Sequence, residues 1–150
     1  MMITIRDFKT TDKANFCAMA EAFYNSNAVS HAIAAKNITT TFDLCAAKSP
    51  YARGLILEYD SHTAGFGLLS FTHTLEAGGL VVLLEDLYID EKFRGKGLAK
   101  QFFDFLFNEY NGKAARYRLE VTKTNQHAID IYKRYGFCEL DYVNMIRLVQ

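Results

Sequence analysis

The chain has 150 residues and a formal charge of zero, with 17 Lys plus Arg against 17 Asp plus Glu. Each half, split at residue 75, is neutral as well, which argues against a nucleic-acid partner held by bulk positive charge. Half the residues are hydrophobic and only one is proline, a composition that excludes disorder and suits one domain over 1–150. A chain this long buries roughly 68–70% of its unfolded surface, so its core needs no disulfide. Cys17, Cys45 and Cys138 lack metal-ligand spacing and read as reduced thiols; no His, Cys, Asp or Glu grouping predicts a metal. The apolar run Leu80–Leu84 is too short to span a membrane, and the chain reads as cytoplasmic with no membrane partner.

In chain order, Met2–Phe8 alternates as a strand, and Thr11–Tyr24 has helical spacing with Thr11 as its cap. A punctuated polar stretch with an apolar break at Ala32–Ala35 leads to a short helix over Thr39–Ala47. Arg53–Tyr59 and Ala64–Thr72 read as strands around the turn Asp60–Thr63, and Gly65 and Gly67 mark a bend or close backbone approach. Leu80–Ile89 is a central strand whose apolar run implies burial on both faces. Leu98–Tyr110 is a helix stopped by Asn111-Gly112, Arg116–Thr122 a strand, and Asn125–Tyr135 a helix with Gly136 beyond its end. Phe137–Val149 reads as a last, long strand. This order predicts an α/β (α+β) layer with a partly antiparallel sheet.

Gly95 and Gly97 lie in the turn between the central strand and the next helix, where they allow positive φ and close approach of a ligand. That helix offers free amides and a dipole that favours an anion. Lys92, Arg94, Lys96 and Lys100 add charge with no acid among residues 92–100, so the turn suits a phosphate or pyrophosphate; a plain tight turn with solvated lysines is the alternative. It is not a P-loop, because Gly97 follows Gly95-Lys96 where Ser or Thr is needed. Nor is it a dinucleotide fingerprint, because Lys100 stands where the third Gly or Ala belongs.

The pattern Arg94-x-x-Gly97-x-Ala99 resembles the acyl-CoA pyrophosphate loop of the GNAT superfamily of N-acetyltransferases. Asn125-x-x-Ala128-x-x-x-Tyr132-x-x-x-Gly136-Phe137 is similar to the closing motif of the same family. Leu84–Ile89 is also similar to the corresponding strand of the diamine and polyamine acetyltransferases, as it is to that of many other members. The resemblance covers nearly the whole chain. It implies a mixed, mostly antiparallel six- to seven-stranded sheet with helices on both faces, strands four and five being splayed. It implies acetyl-CoA as cofactor, held by Arg94, Gly95, Lys96, Gly97, Leu98, Ala99 and Lys100 at the phosphates. The backbone of Leu87, Tyr88 and Ile89 would pair with the pantetheine arm, with Asn125, Ala128 and Tyr132 beside it.

For catalysis the resemblance assigns Glu85 as general base, directly or through water, and Tyr132 as the acid for the leaving thiolate. Asp86 is a second acid beside the amine, yet in a regular strand it and Glu85 face opposite sides. Tyr24, Val29, His31, Phe71 and Asp86 are the candidates for substrate contact. The expected reaction is direct acetyl transfer to a primary amine of a small cationic substrate in a ternary complex. The acceptor could be a polyamine, amino sugar, amino acid or peptidyl lysine. Two alternatives stand: a non-catalytic acyl-CoA sensor on the same fold, and an enzyme acting on a protein or aminoacyl-tRNA amine. The last strand could pair or swap between subunits of a homodimer, as in many relatives.

Overall fold

Alternating Ile3 and Ile5 build β1 (Ile3–Asp7) in a computed structural model that describes residues 1–29 and 31–149. A single 3-10 turn then leads into α1 (Lys13–Tyr24). Thr11 does not cap this helix. The buried Asp12 ties down the turn instead: its carboxylate accepts the Lys9 amide at 2.6 Å and both Arg6 guanidinium NH groups at 2.8 and 2.9 Å. The helix α2 (Ala35–Ala46) starts four residues earlier than its sequence suggests, because Ile38, Phe42 and Cys45 form a buried stripe at helical spacing. The hairpin of β2 (Ala52–Tyr59) and β3 (His62–Thr74) closes on Asp60-Ser61 alone. Both residues take positive φ, 47° and 68°, so the strand begins at His62 and the expected four-residue turn shrinks to two.

The central strand β4 (Gly79–Ile89) is followed by α3 (Leu98–Glu109), β5 (Ala114–Leu119) and α4 (Gln126–Arg134). The sheet order is β1-β2-β3-β4-β5, antiparallel throughout except for the parallel β4–β5 pair that α3 connects. Helices cover both faces. Leu55, Leu57, Leu69, Val82 and Leu84 meet Phe102, Phe103 and Leu106 of α3. On the other face Ile56, Phe66 and Leu68 meet Phe16 and Met19 of α1 and Phe42 of α2. Gly67 is required by packing, since a Cβ there would overlap the Phe102 ring. No helix among the described residues is long and apolar enough to cross a membrane.

Two expectations are corrected. Among the described residues the sheet has five strands rather than six or seven, and the segment 137–149 forms no strand. Its sequence has β character, but a strand needs a neighbour to complete its backbone hydrogen bonds, and this segment pairs with none. It is held at its start by Phe137, whose amide donates to the Tyr132 carbonyl at 3.1 Å and whose ring packs on Phe103; further on, Tyr142 donates to Glu76 at 2.8 Å, and Arg118 donates to Asn144 at 3.3 Å. Val143, Met145, Ile146, Leu148 and Val149 are left 80–98% exposed.

Candidate active site

The site is centred on an irregularity in β4. Leu68 pairs with Asp86 and Leu69 with Leu84, so Glu85 is an extra residue without a partner on β3. This is a β-bulge. Leu84 and Leu87 both face α3, and the two residues between them both turn to the α1–α2 side. The bulge therefore removes the alternation that would have parted Glu85 from Asp86. Both line one cavity of 230 Å³ between α1, α2 and the sheet.

Within this cavity the two acids differ. Glu85 is exposed at the mouth and accepts the Ser70 hydroxyl at 2.6 Å. Asp86 lies deeper, where the Tyr24 hydroxyl donates to its two oxygens at 3.0 and 3.1 Å. Burial pushes the Asp86 carboxyl up to about 6, against the Tyr24 hydrogen bond, which lowers it; the Glu85 charge raises it further. The Tyr24 phenol is itself pushed up, first by burial and then by Asp86. It stays a neutral donor.

Beyond the Leu84–Leu119 pair, β5 ends while β4 runs on to Ile89. The two strands part here, as expected, and one edge of Leu87–Ile89 is left without a neighbouring strand. Gly65 brings β3 close behind this stretch, because a Cβ there would overlap the Tyr88 carbonyl. The glycine turn follows. Gly95 and Gly97 have φ of 74° and 87°, and Gly97 is the left-handed residue from which α3 starts. A Cβ at either would meet nothing within 4 Å, so backbone conformation and not crowding calls for glycine. The buried Leu98 anchors the first turn of α3 while residues 94–97 stay exposed.

The cations of this turn rest on the protein itself. Arg94 Nε donates to the Ile89 carbonyl at 3.0 Å, fastening the turn to the end of β4. The Lys96 Nζ lies 5.5 Å over the Tyr59 ring, and Lys100 pairs with Asp104 at 2.7 Å. Lys96 and Lys100 are held only by exposed contacts of small worth, which a phosphate can replace. The positive φ values, the free amides of a twelve-residue helix and these lysines fit an anionic pyrophosphate.

On the α3 side of the gap, Asn125 caps α4 by accepting the Ala128 amide at 3.2 Å. Tyr132, half-buried on α4, packs edge-on against Phe103 and Phe137 at centroid distances of 6.0 and 6.1 Å. Burial holds its phenol above the ordinary value, so it is protonated at neutral pH. Tyr135 stacks on Phe103 at 4.4 Å and is a packing residue.

The candidate acceptor residues are only partly gathered. Tyr24 and Asp86 meet in the cavity. Phe71 packs on Tyr110 at 5.7 Å, on the α3 face. Val29 and His31 precede the stretch that supplies Ile33 and Asn37 to the lining. Sequence reasoning missed Ser70, Asn37 and Thr41. They carry no motif: the β3–β4 pairing brings Ser70 to Glu85, and the packing of α2 on the sheet brings Asn37 and Thr41 into the same cavity.

A mixed sheet opens beside a glycine turn at a helix start, with acids on one side of the opening and a protonated phenol on the other, the architecture of an α/β protein with a cleft at the end of its central strand. The model of the acetyltransferase (GNAT) family matches residues 15–137, and the chain belongs to that family. A spermine/spermidine N(1)-acetyltransferase of Bacillus subtilis (strain 168) is 38% identical over 66 residues, 41% of this chain and 43% of the relative. The match thus spans less than half of that relative's length. A possible acetyltransferase from Clostridium difficile 630 shares the fold over 100% of this chain and 99% of its own, with a TM-score of 0.84 at 16% identity. So does AAC(6')-Iy, solved in complex with the bisubstrate analog CoA-S-monomethyl-acetylneamine, over 100% of both chains with a TM-score of 0.79 at 17% identity.

Proposed function

We propose that this chain is an acetyl-CoA-dependent N-acetyltransferase that acetylates a primary amine of a small cationic acceptor. The observation that carries this reading is the bulge, which turns Glu85 and Asp86 into one cavity next to the opening between β4 and β5. Family membership and the relative named for spermine and spermidine support it. Acetyl-CoA, when bound, supplies an acetyl thioester. The amides of 95–100, with Lys96 and Lys100, hold its phosphates. The free edge of Leu87–Ile89, Asn125 and Ala128 orient its arm.

The chain's own residues manage the protons. An alkyl ammonium has a pKa near ~10 and must lose its proton before it can attack. Glu85, at the cavity mouth, takes that proton directly or through one water. Tyr132, kept protonated by burial, supplies one to the departing sulfur. A panel of diamines, amino sugars, amino acids and lysyl peptides assayed for thiol release from acetyl-CoA tests the reading. Release that requires an amine supports it. Acetyl-CoA binding without release for any amine overturns it in favour of a sensor.

The segment 143–149, with its exposed apolar residues, is tied to β5 at the end of the sheet by the hydrogen bond that Arg118 donates to Asn144. These apolar residues support a homodimer in which this segment is covered by a second copy. Sedimentation at micromolar concentration tests this; a monomer with the tail intact overturns it.

A further inference from the structure

We propose that Tyr24 is a positioning residue that acts through Asp86: it holds the Asp86 carboxylate, aimed into the cavity, to receive the ammonium group of an alkylamine. This rests on the N-acetyltransferase reading for the amine's role as acceptor, but the binding it describes stands apart from turnover.

The geometry is specific. Tyr24 is the last residue of α1, and its hydroxyl spans to the bulge of β4, donating to both Asp86 oxygens at 3.0 and 3.1 Å. One phenol shared between two oxygens fixes the plane of the carboxylate and leaves further lone pairs for another donor. With no Lys, Arg or His among the described lining residues, no cation of the chain takes those lone pairs, which are open to a cation or a neutral polar group of a ligand. The remaining walls choose between these. Phe16, Ala20, Ile38, Phe66 and Leu68 present hydrocarbon, which suits methylenes, and Asn37, Thr41 and Ser70 offer fewer polar partners than the several hydroxyls of a sugar need. The absence of a lining cation also disfavours an acceptor that carries a carboxylate.

The groups facing Asp86 can be named element by element. Tyr24 comes from α1 and Glu85 from β4 itself; α2 contributes the neutral Asn37 and Thr41, and β3 the neutral Ser70. Among the described residues, Tyr24 is thus the titratable neighbour that favours the ionised carboxylate, while burial and Glu85 oppose it. An arriving ammonium ionises Asp86 and displaces its proton to solvent. Without the phenol, ionisation moves to higher pH. Losing a hydrogen bond to the charged form moves the ionisation up by about 1–2 pH units.

The test is calorimetric titration of 1,4-diaminobutane into the full chain, with and without CoA, at pH 6, 7 and 8.5. Each pH is run in two buffers of different ionisation enthalpy. The wild type is expected to release about half a proton at pH 6 and almost none at pH 8.5. In Tyr24→Phe, binding weakens about tenfold at pH 6–7 and recovers by pH 8.5, with proton release now centred at the higher pH. A purely structural loss would weaken binding alike at every pH, and that result overturns the proposal. Asp86→Asn, which leaves Tyr24 in place, is expected to abolish the proton release. If Glu85→Gln abolishes it instead, or if the wild type binds no diamine, the proposal falls. Glucosamine, the control sugar, should bind at least tenfold more weakly; equal affinity overturns the alkylamine assignment. Binding with the expected proton release but no acetyl transfer sinks the enzymatic reading and leaves this one standing. Transfer with an unshifted Tyr24→Phe profile does the reverse.

Discussion

Leu84 and Leu87 pack on the same side of the sheet, against the α3 core, although three positions separate them. Regular alternation would put them on opposite sides. The extra residue Glu85 absorbs the difference. A deletion inside a strand normally turns every later side chain over. Deleting Glu85 instead leaves Leu68 opposite Asp86 and Leu69 opposite Leu84, a regular ladder with both leucines still facing α3. The Glu85 deletion is therefore expected to fold, with a Tm within a few degrees of wild type and about 10²-fold less turnover. Deleting Leu83 should prevent folding. Thermal melts and circular dichroism of the two variants check this; equal damage from both deletions would show that the bulge is not an independent insertion.

Much of this site was legible before folding. The apolar run before Glu85, the glycines at 95 and 97 and the cap at Asn125 each have a local cause in residue type and spacing. The bulge did not, because a strand reads the same in sequence whether or not its partner skips a residue. For that reason Glu85 and Asp86 were expected on opposite faces and were found on one. The C-terminal segment failed in the other direction. Its residues favour a strand, but strand formation depends on a neighbouring edge, and β propensity is mostly a statement about such surroundings. Phe71 shows the same limit: alternation told which residues shared its face, while the helix covering that face was set by the path of the chain.

Gly67→Ala tests the close approach of β3 and α3. The added methyl would overlap the Phe102 ring in a fully buried layer. Overpacking of this kind costs about 1–3 kcal/mol. Urea unfolding should give a lower midpoint with an unchanged slope. An unaltered midpoint would mean that the ring moves aside at no cost.

Gly97→Glu is expected to abolish acetyl-CoA binding in calorimetry. The substitution puts a side chain on a residue with φ of 87° and an anion where the phosphates would lie. The space beside it is open, so the fold should survive with a modest loss of about 1 kcal/mol from the backbone strain. Retained affinity would remove the turn from the cofactor site.

Tyr132→Phe separates the packing of this ring from its hydroxyl. The ring contacts with Phe103 and Phe137 are kept, and the hydroxyl makes no hydrogen bond among the described residues. Stability should change by less than about 0.5 kcal/mol. Acetyl-CoA affinity should stay nearly the same while turnover falls about 10²-fold. Full turnover would exclude the phenol as the proton donor to sulfur.

Asp86→Asn should make the protein more stable at neutral pH, the opposite of what removing a hydrogen-bonded acid usually does. The Asp86 carboxyl is raised to about 6 in the folded state from an ordinary value of 3.8, chiefly by burial. The folded state therefore binds this proton more tightly than the unfolded chain. Stability tied to Asp86 is present below the unfolded value and is lost as pH rises through the folded one. A shift of about two units corresponds to about 2–3 kcal/mol. Asparagine can still accept from Tyr24 and carries no charge to desolvate. Asp12 supplies the contrast, since Arg6 lowers its carboxyl and its contribution is lost as pH falls. Thermal melts of Asp86→Asn should give a Tm higher by about 5 °C at pH 8 and little changed at pH 4. A Tm lowered at both pH values would mean that Asp86 holds the bulge together, and that its burial does not strain the apo fold.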